Sequence, residues 1–153
     1  MNALTNLFTP DCIALDSPAK NRADAFAAAG ELFAKQTGID ANAVVSFLNA
    51  REELGSTALG AGVAIPHGRV KGLKQPAAAF IRLKDPIEFA APDGESVSTF
   101  IFLLVPEKAT QQHLEILSFI AQLLSDSEAR GALSSATDPV KVCELLQHWG
   151  NPK

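Results

Sequence analysis

Four side chains carry most of the chemical interest in this chain: His67, His113, His148 and Arg51. His67 stands between Pro66 and Gly68. The proline fixes the backbone ahead of the ring, and the glycine removes side-chain bulk behind it. A ring held this way is expected to project from the carboxyl end of a strand, where α/β sheets usually bind ligands. The ordinary alternative is a turn histidine with no chemical role. His113 falls in the first turn of an expected helix capped by Thr110. Free N–H groups of Gln111, Gln112 and His113 at such an end form an anion site by geometry, and the positive helix end favours a neutral ring there. Again a plain alternative stands, a polar first-turn residue. Arg51 presents an always-protonated planar fork suited to phosphate or carboxylate, unless it only snorkels at a helix end. His148, close to Gly150-Asn151-Pro152, is expected to be exposed and idle. One cation, two histidines and a helix N-terminus suggest anion handling at a histidine, although spacing alone does not bring His67 and His113 together.

Other chemistries find little support. No H-x-x-x-H or H-E-x-x-H pair gives metal-ligand spacing, and neither histidine has an adjacent acidic ligand, which counts against a metal-dependent hydrolase. There is no G-x-S-x-G elbow and no P-loop, and Gly60-Ala61-Gly62 lacks the third glycine of a dinucleotide fingerprint.

The elements that must carry these residues follow from periodicity. Ala25, Phe26, Ala29, Leu32 and Phe33 recur at helical spacing, so a helix is expected over about 21–36 with Gly38 as its stop. A second helix is expected over about 41–53, capped by Asp40, with Val44, Phe47 and Leu48 inward and Arg51 on the same face. Val63–Ile65 reads as a short strand ended by Pro66, because the residue before a proline is held extended. Ala77–Leu83 reads as a strand ended by Asp85-Pro86, and Ile87–Phe89 as another short one. Val97–Val105, almost continuously apolar, reads as a central strand covered on both faces. A largely buried helix follows from Thr110 to Ser125, then short helices over 127–133 and 138–148. The expected fold is α/β: a mixed β-sheet of about five strands flanked by helices on both faces, in a single domain. Residues 1–19, rich in turn and cap formers, read as an N-terminal arm lying against a domain at 20–150.

Composition narrows the function classes further. The 153 residues are 47% hydrophobic and 20% charged, with a net charge of −4 and no Lys/Arg run, which argues against nucleic-acid binding. No stretch approaches the ~20 apolar residues of a membrane span, and the N-terminus lacks the basic and apolar regions of a signal peptide. Cys12 and Cys143 are far apart with no histidine nearby, so no zinc knuckle or disulfide framework is indicated. A cytoplasmic protein without membrane insertion is expected.

The stretch Arg51-Glu52-Glu53-Leu54-Gly55-Ser56-Thr57-Ala58-Leu59-Gly60-Ala61-Gly62-Val63-Ala64-Ile65-Pro66-His67-Gly68-Arg69 resembles the signature of the fructose/mannitol/nitrogen-type enzyme IIA domains of the bacterial phosphotransferase system, the nitrogen-regulatory form above all. The likeness runs on through Pro86–Phe89, Asp93-Gly94, Phe102–Pro106 and His113-Leu114, covering about Lys20 to the end, whereas the first nineteen residues match little. It implies a mixed β-sheet with helices on both faces and no cofactor. It implies that His67 takes a phosphoryl group, on the ring nitrogen farther from the backbone, from the phosphohistidine of an HPr-type carrier protein. His113 matches the family's second active-site histidine and Arg51 its active-site arginine, while Ser56, Thr57 and Gly68 match phosphate-binding loop positions. Ala61 departs from the Asn or Arg that many members carry between the two glycines. The implied partners are the HPr-type carrier and either regulatory targets or an enzyme IIB. The expected function is thus a regulatory phosphocarrier, with a sugar-transport enzyme IIA and a non-phosphorylated binding module as alternatives. Residues Val63, Gly68 and Val70, rimmed by Arg69 and Lys71, are the expected docking patch.

Overall fold

A computed structural model of the chain describes Leu4, residues 6–108 and residues 110–150. Local chemistry sets the helix limits. Helix α1 (Arg22–Thr37) begins where the Asn21 side chain accepts from the Asp24 N–H, and ends at Gly38, whose φ of 78° only glycine adopts freely. Helix α2 (Ala41–Glu52) starts at Asp40, whose carboxylate accepts from the N–H groups of Asn42 and Ala43.

Among the described residues six strands form one mixed sheet: β1 (Ile13–Ser17), β2 (Ala58–Gly60), β3 (Val63–Ala64), β4 (His67–Val70), β5 (Ala77–Ile87) and β6 (Val97–Pro106). Their order is β1-β5-β6-β3-β2, with β4 also paired to β6. The β5–β6 pair is antiparallel, whereas β1 runs parallel to β5, and β3 and β4 run parallel to β6. Side chains alternate along β6 and so serve two layers. Phe100 and Phe102 stack on one face, where Phe26 of α1 meets Phe102 edge-on at 5.8 Å between ring centroids. Phe89 completes this cluster against Phe26 and Phe100. Burying each ring contributes about 1.5–3 kcal/mol. Leu103 and Val105 point to the opposite face, towards helix α3 (Gln111–Ser125). Helices α4 (Ser127–Ser135) and α5 (Pro139–His148) belong to this second layer. Arg82 of β5 fastens α4 to the sheet by donating to the carbonyls of Leu133 (2.9 Å) and Ala136 (2.6 Å), and lies 3.6 Å from Asp16. Helices therefore cover both faces, as the sequence predicts.

Three strand readings need correction. Pro66 is a break rather than an end: β3 stops at Ala64, and β4 resumes at His67, opposite Leu103 of the same partner strand. Pro66 cannot donate to the ladder, yet its carbonyl still accepts from the Leu103 N–H at 3.0 Å. His67 therefore opens a strand instead of trailing one. Asp85-Pro86 does not end β5; the register slips between Arg82 and Ile87, and that irregularity absorbs the missing donor. Glu88 and Phe89 lie beyond the strand, and Phe89 serves the aromatic cluster instead. The segment read as an arm supplies β1, and its residues Leu4 and Phe8 are buried in the core.

Candidate active site at the edge of the sheet

His67 begins β4, the strand lying beyond β6 beside the end of α2 and the start of α3. Its Nδ1 lies 2.8 Å from the Ile65 carbonyl oxygen, which can only accept, so Nδ1 carries the ring proton. Nε2 then holds the lone pair, and it accepts from Arg51 Nε at 3.3 Å. Arg51 reaches this point from the last turn of α2, and its Nη1 donates to the Gly55 carbonyl at 2.8 Å. Gly68 allows the approach, because a Cβ there would stand 3.1 Å from the Phe47 carbonyl oxygen and 3.2 Å from its carbon. Burial pushes the His67 pKa below its ordinary 6.5; the Ile65 hydrogen bond raises it, the Arg51 charge lowers it and the Glu52 charge raises it. Desolvation prevails, and the neutral ring is favoured.

His113 occupies the third position of α3 and closes a capping box. Thr110 Oγ1 accepts from the His113 N–H at 3.4 Å, and His113 Nδ1 accepts from the Thr110 N–H at 3.2 Å. With Nδ1 accepting, the ring proton of His113 sits on Nε2. The two histidines thus hold opposite tautomers, one with a lone pair at Nε2 and the other with a donor there. The His113 N–H is engaged in the cap, so it is not one of the free donors that the sequence reading assigns to this helix end. Both rings, with Arg51 and Arg69, line a single cavity of about 540 Å³. Its remaining wall is apolar, from Phe47, Leu103, Leu114 and Leu117 among others. An electron-rich nitrogen beside a guanidinium and an N–H donor suits transfer of an anionic group.

A family model described as "Phosphoenolpyruvate-dependent sugar phosphotransferase system, EIIA 2" matches residues 6–149. The chain belongs to this enzyme IIA family. It is 38% identical over 147 residues to the nitrogen regulatory protein of Pseudomonas aeruginosa, covering 95% of this chain and 96% of that one. The crystal structure of nitrogen regulatory protein IIA-Ntr from Neisseria meningitidis matches with a TM-score of 0.90 and 41% identity, over 95% of this chain and 99% of that chain. The IIA mannitol structure from Escherichia coli shares the fold, with a TM-score of 0.76 at 23% identity, over 91% of this chain and 98% of that chain. The family match begins ahead of Lys20 and so includes β1.

Two loop residues of this enzyme IIA turn away from the His67 cavity. The Ser56 hydroxyl donates to the Phe89 carbonyl (3.0 Å) and accepts from the Ala58 N–H (3.2 Å), and its side chain lines a separate hollow with Arg22 and Glu88. Thr57 is buried, and both its N–H (2.8 Å) and its hydroxyl (2.6 Å) donate to the Glu52 carboxylate. Gly68 does line the cavity, where its observed contribution is the close packing of α2. Two side chains of the expected docking patch are buried. Val63 and Val70 are 3% and 0% exposed, whereas Leu54 and Leu114, on the cavity wall, are 84% and 57% exposed. Leu54 and Leu114 are wall residues of the cavity that sequence reasoning missed as exposed, and Glu52 borders the separate hollow beside Ser56. Neither leucine carried a signal in its spacing, since Leu54 continues the stripe of Phe47 and Arg51 and Leu114 the apolar arc of α3, yet both are exposed.

The turn leading to this region is clipped by Asp93, whose carboxylate accepts from the Ala61 N–H (2.8 Å) and the Glu95 N–H (3.0 Å). Those hydrogen bonds hold its carboxyl below the usual carboxylate range. Gly60, Ala61 and Gly62 all have positive φ, of 92°, 56° and 82°. His148 is exposed at the end of α5, as expected. Among the described residues, no helix is long and apolar enough to cross a membrane.

Proposed function

We propose that this enzyme IIA is a phosphocarrier of the nitrogen-type phosphotransferase system, which accepts a phosphoryl group on His67 Nε2 from the phosphohistidine of an HPr-type protein. The observation that carries the reading is the tautomer of His67: Nδ1–H is held by the Ile65 carbonyl, and the Nε2 lone pair is left in the cavity beside Arg51. In the transfer, that lone pair forms the new N–P bond while the carrier's N–P bond breaks, and the carrier imidazole leaves with the electron pair. The Nδ1 proton stays in its hydrogen bond to Ile65, which steadies the positive charge shared over the ring. Arg51 and the Nε2–H of His113 stabilise the charge that spreads over the phosphoryl oxygens in transit. Identities of 38% and 41% to nitrogen regulatory proteins over nearly their whole lengths support regulatory output over sugar transport.

The exposed Leu54 and Leu114 give a partner an apolar footing around the ring, with Arg69 beside them. Phosphorylation adds about −1.5 to −2 charges at the centre of that footing. Partners that bury His67 in an apolar or acidic setting then bind less well, while the core strands keep their places. In this reading the protein works in the cytoplasm. Intact mass after incubation with phosphoenolpyruvate, enzyme I and an HPr-type carrier tests it. One phosphoryl group should appear on the native chain and none on His67→Ala; equal labelling of both would overturn the assignment.

A further inference from the structure

Glu52 is the last residue of α2 and only 6% exposed. Two costs fall on it together. A buried carboxylate loses its water, and the negative end of a helix repels it. Two short hydrogen bonds from Thr57 offset those costs, and the residue they hold stands next in sequence to the arginine that touches His67.

We infer that Glu52 is a positioning residue for the reaction at His67, its buried carboxylate clamping Thr57 so that Arg51 is held on the ring and its charge opposing that of Arg51. The inference rests on the phosphocarrier reading. The geometry runs through one short loop. Glu52 Oε2 accepts from the Thr57 N–H and Oε1 from the Thr57 hydroxyl, so residues 53–56 are closed into a fixed bend. At its turn Gly55 adopts a φ of 150°, which disfavours any residue with a side chain. Its carbonyl is thereby presented to Arg51 Nη1 at 2.8 Å, leaving Nε to reach His67 Nε2. Arg51 therefore has two anchors, and one of them exists only while the bend is closed.

Charge supplies the second half. Among the described residues, the charged or titratable groups lining the His67 cavity are Arg51 from the end of α2, Arg69 on β4 and His113 on α3, whereas β6 presents Leu103 and Val105; Glu52 borders the separate hollow beside Ser56 and acts on the ring from behind Arg51. Arg51 and Glu52 act on the ring in opposite senses. Glu52 lets a guanidinium rest against the nucleophile without its full field.

The test compares wild type with Glu52→Gln. In the unphosphorylated protein, the imidazole titration of His67 followed by NMR should move to lower pH in the variant. Phosphoryl acceptance should slow about 10- to 100-fold, as for a reacting group displaced by about an ångström, with unchanged affinity for the carrier. An unmoved or raised titration midpoint, or acceptance at the wild-type rate, would overturn the inference. If wild type itself takes no phosphate, the phosphocarrier reading fails while the titration still reports on Glu52. Should Glu52→Gln not fold, Thr57→Val keeps the charge and the backbone bond but removes the hydroxyl. It should slow acceptance, Thr57→Ser should restore it, and wild-type rates in Thr57→Val would overturn the inference.

Discussion

Arg51 Nε donates to His67 Nε2 across 3.3 Å, so in the resting protein a cation rests on the lone pair that the proposed transfer requires. That lone pair cannot serve both partners. As phosphorus approaches, the guanidinium has to slide from nitrogen onto the phosphoryl oxygens, keeping Gly55 as its pivot. The contact is longer than a typical hydrogen bond and gives way easily. Replacing Arg51 by Gln should therefore do two things. The His67 titration midpoint should rise, because a charge that lowers it is gone, and acceptance should slow by about 10²-fold or more. NMR titration and rapid-quench labelling check these separately; a midpoint that falls would contradict the assigned contact.

His113 combines two tasks that substitution can separate. Ala removes both the cap acceptor and the Nε2–H donor, and should lose about 0.5–1.5 kcal/mol of stability, the worth of one hydrogen bond, as well as rate. Gln can still accept from the Thr110 N–H, as in an ordinary capping box. His113→Gln should keep near-native stability by urea titration while transfer slows about 10²-fold. A variant that is stable and fully active would remove His113 from the reaction.

Stability should depend on pH through His67. Its folded-state pKa lies below 6.5, so as pH falls through 6.5 the unfolded chain takes up a proton that the folded chain refuses. Stability therefore declines from about pH 6.5 down to the folded midpoint and has no further His67 contribution below it. His67→Gln should flatten the profile in that window. Urea melts of both proteins between pH 7.5 and 5 measure the difference, and parallel profiles would show that His67 is not held neutral.

Gly68 sets the separation of α2 from β4. Adding a Cβ at 3.1 Å from the Phe47 carbonyl forces the helix backbone outward, at a cost of about 1–3 kcal/mol. Since α2 carries Arg51, Gly68→Ala should slow transfer by more than its loss of stability explains. Labelling rates measured well below the melting temperature discriminate the two effects.

Much of this site was legible in the sequence, and the residues say why. Thr110, Asp40 and Gly38 mark helix ends through local chemistry that needs no tertiary context, so α1, α2 and α3 emerge nearly at their observed limits. His67, Arg51 and His113 carry side chains whose chemistry is visible in any fold, and the cavity brings them together. Strands β1, β2 and β4 were not legible. Ile-Ala-Leu-Asp-Ser, Ala-Leu-Gly and His-Gly-Arg-Val have no clear alternation and become strands only because β5, β3 and β6 offer free edges. The Glu52–Thr57 clamp was hidden for a related reason: a glutamate in a helical stretch reads as solvated until the loop folds back over it. Ser56 and Thr57 show the converse, since a motif gives a residue's neighbourhood without giving the direction of its hydroxyl.

The chain has one tryptophan and no tyrosine. Trp149 follows α5, packs edge-on against Phe119 of α3 at 5.3 Å between centroids, and donates its indole N–H to Asp126 at 3.1 Å. It also lines a small cavity with Leu123, which sits ten residues along α3 from His113, about 15 Å. Near-ultraviolet emission from this protein therefore comes from a single fluorophore docked on the helical layer, in a cavity other than the one His67 lines. Fluorescence should report the seating of the C-terminal helices during denaturation and stay almost silent when His67 is modified. That makes it a clean optical readout of folding against which every active-site variant can be normalised.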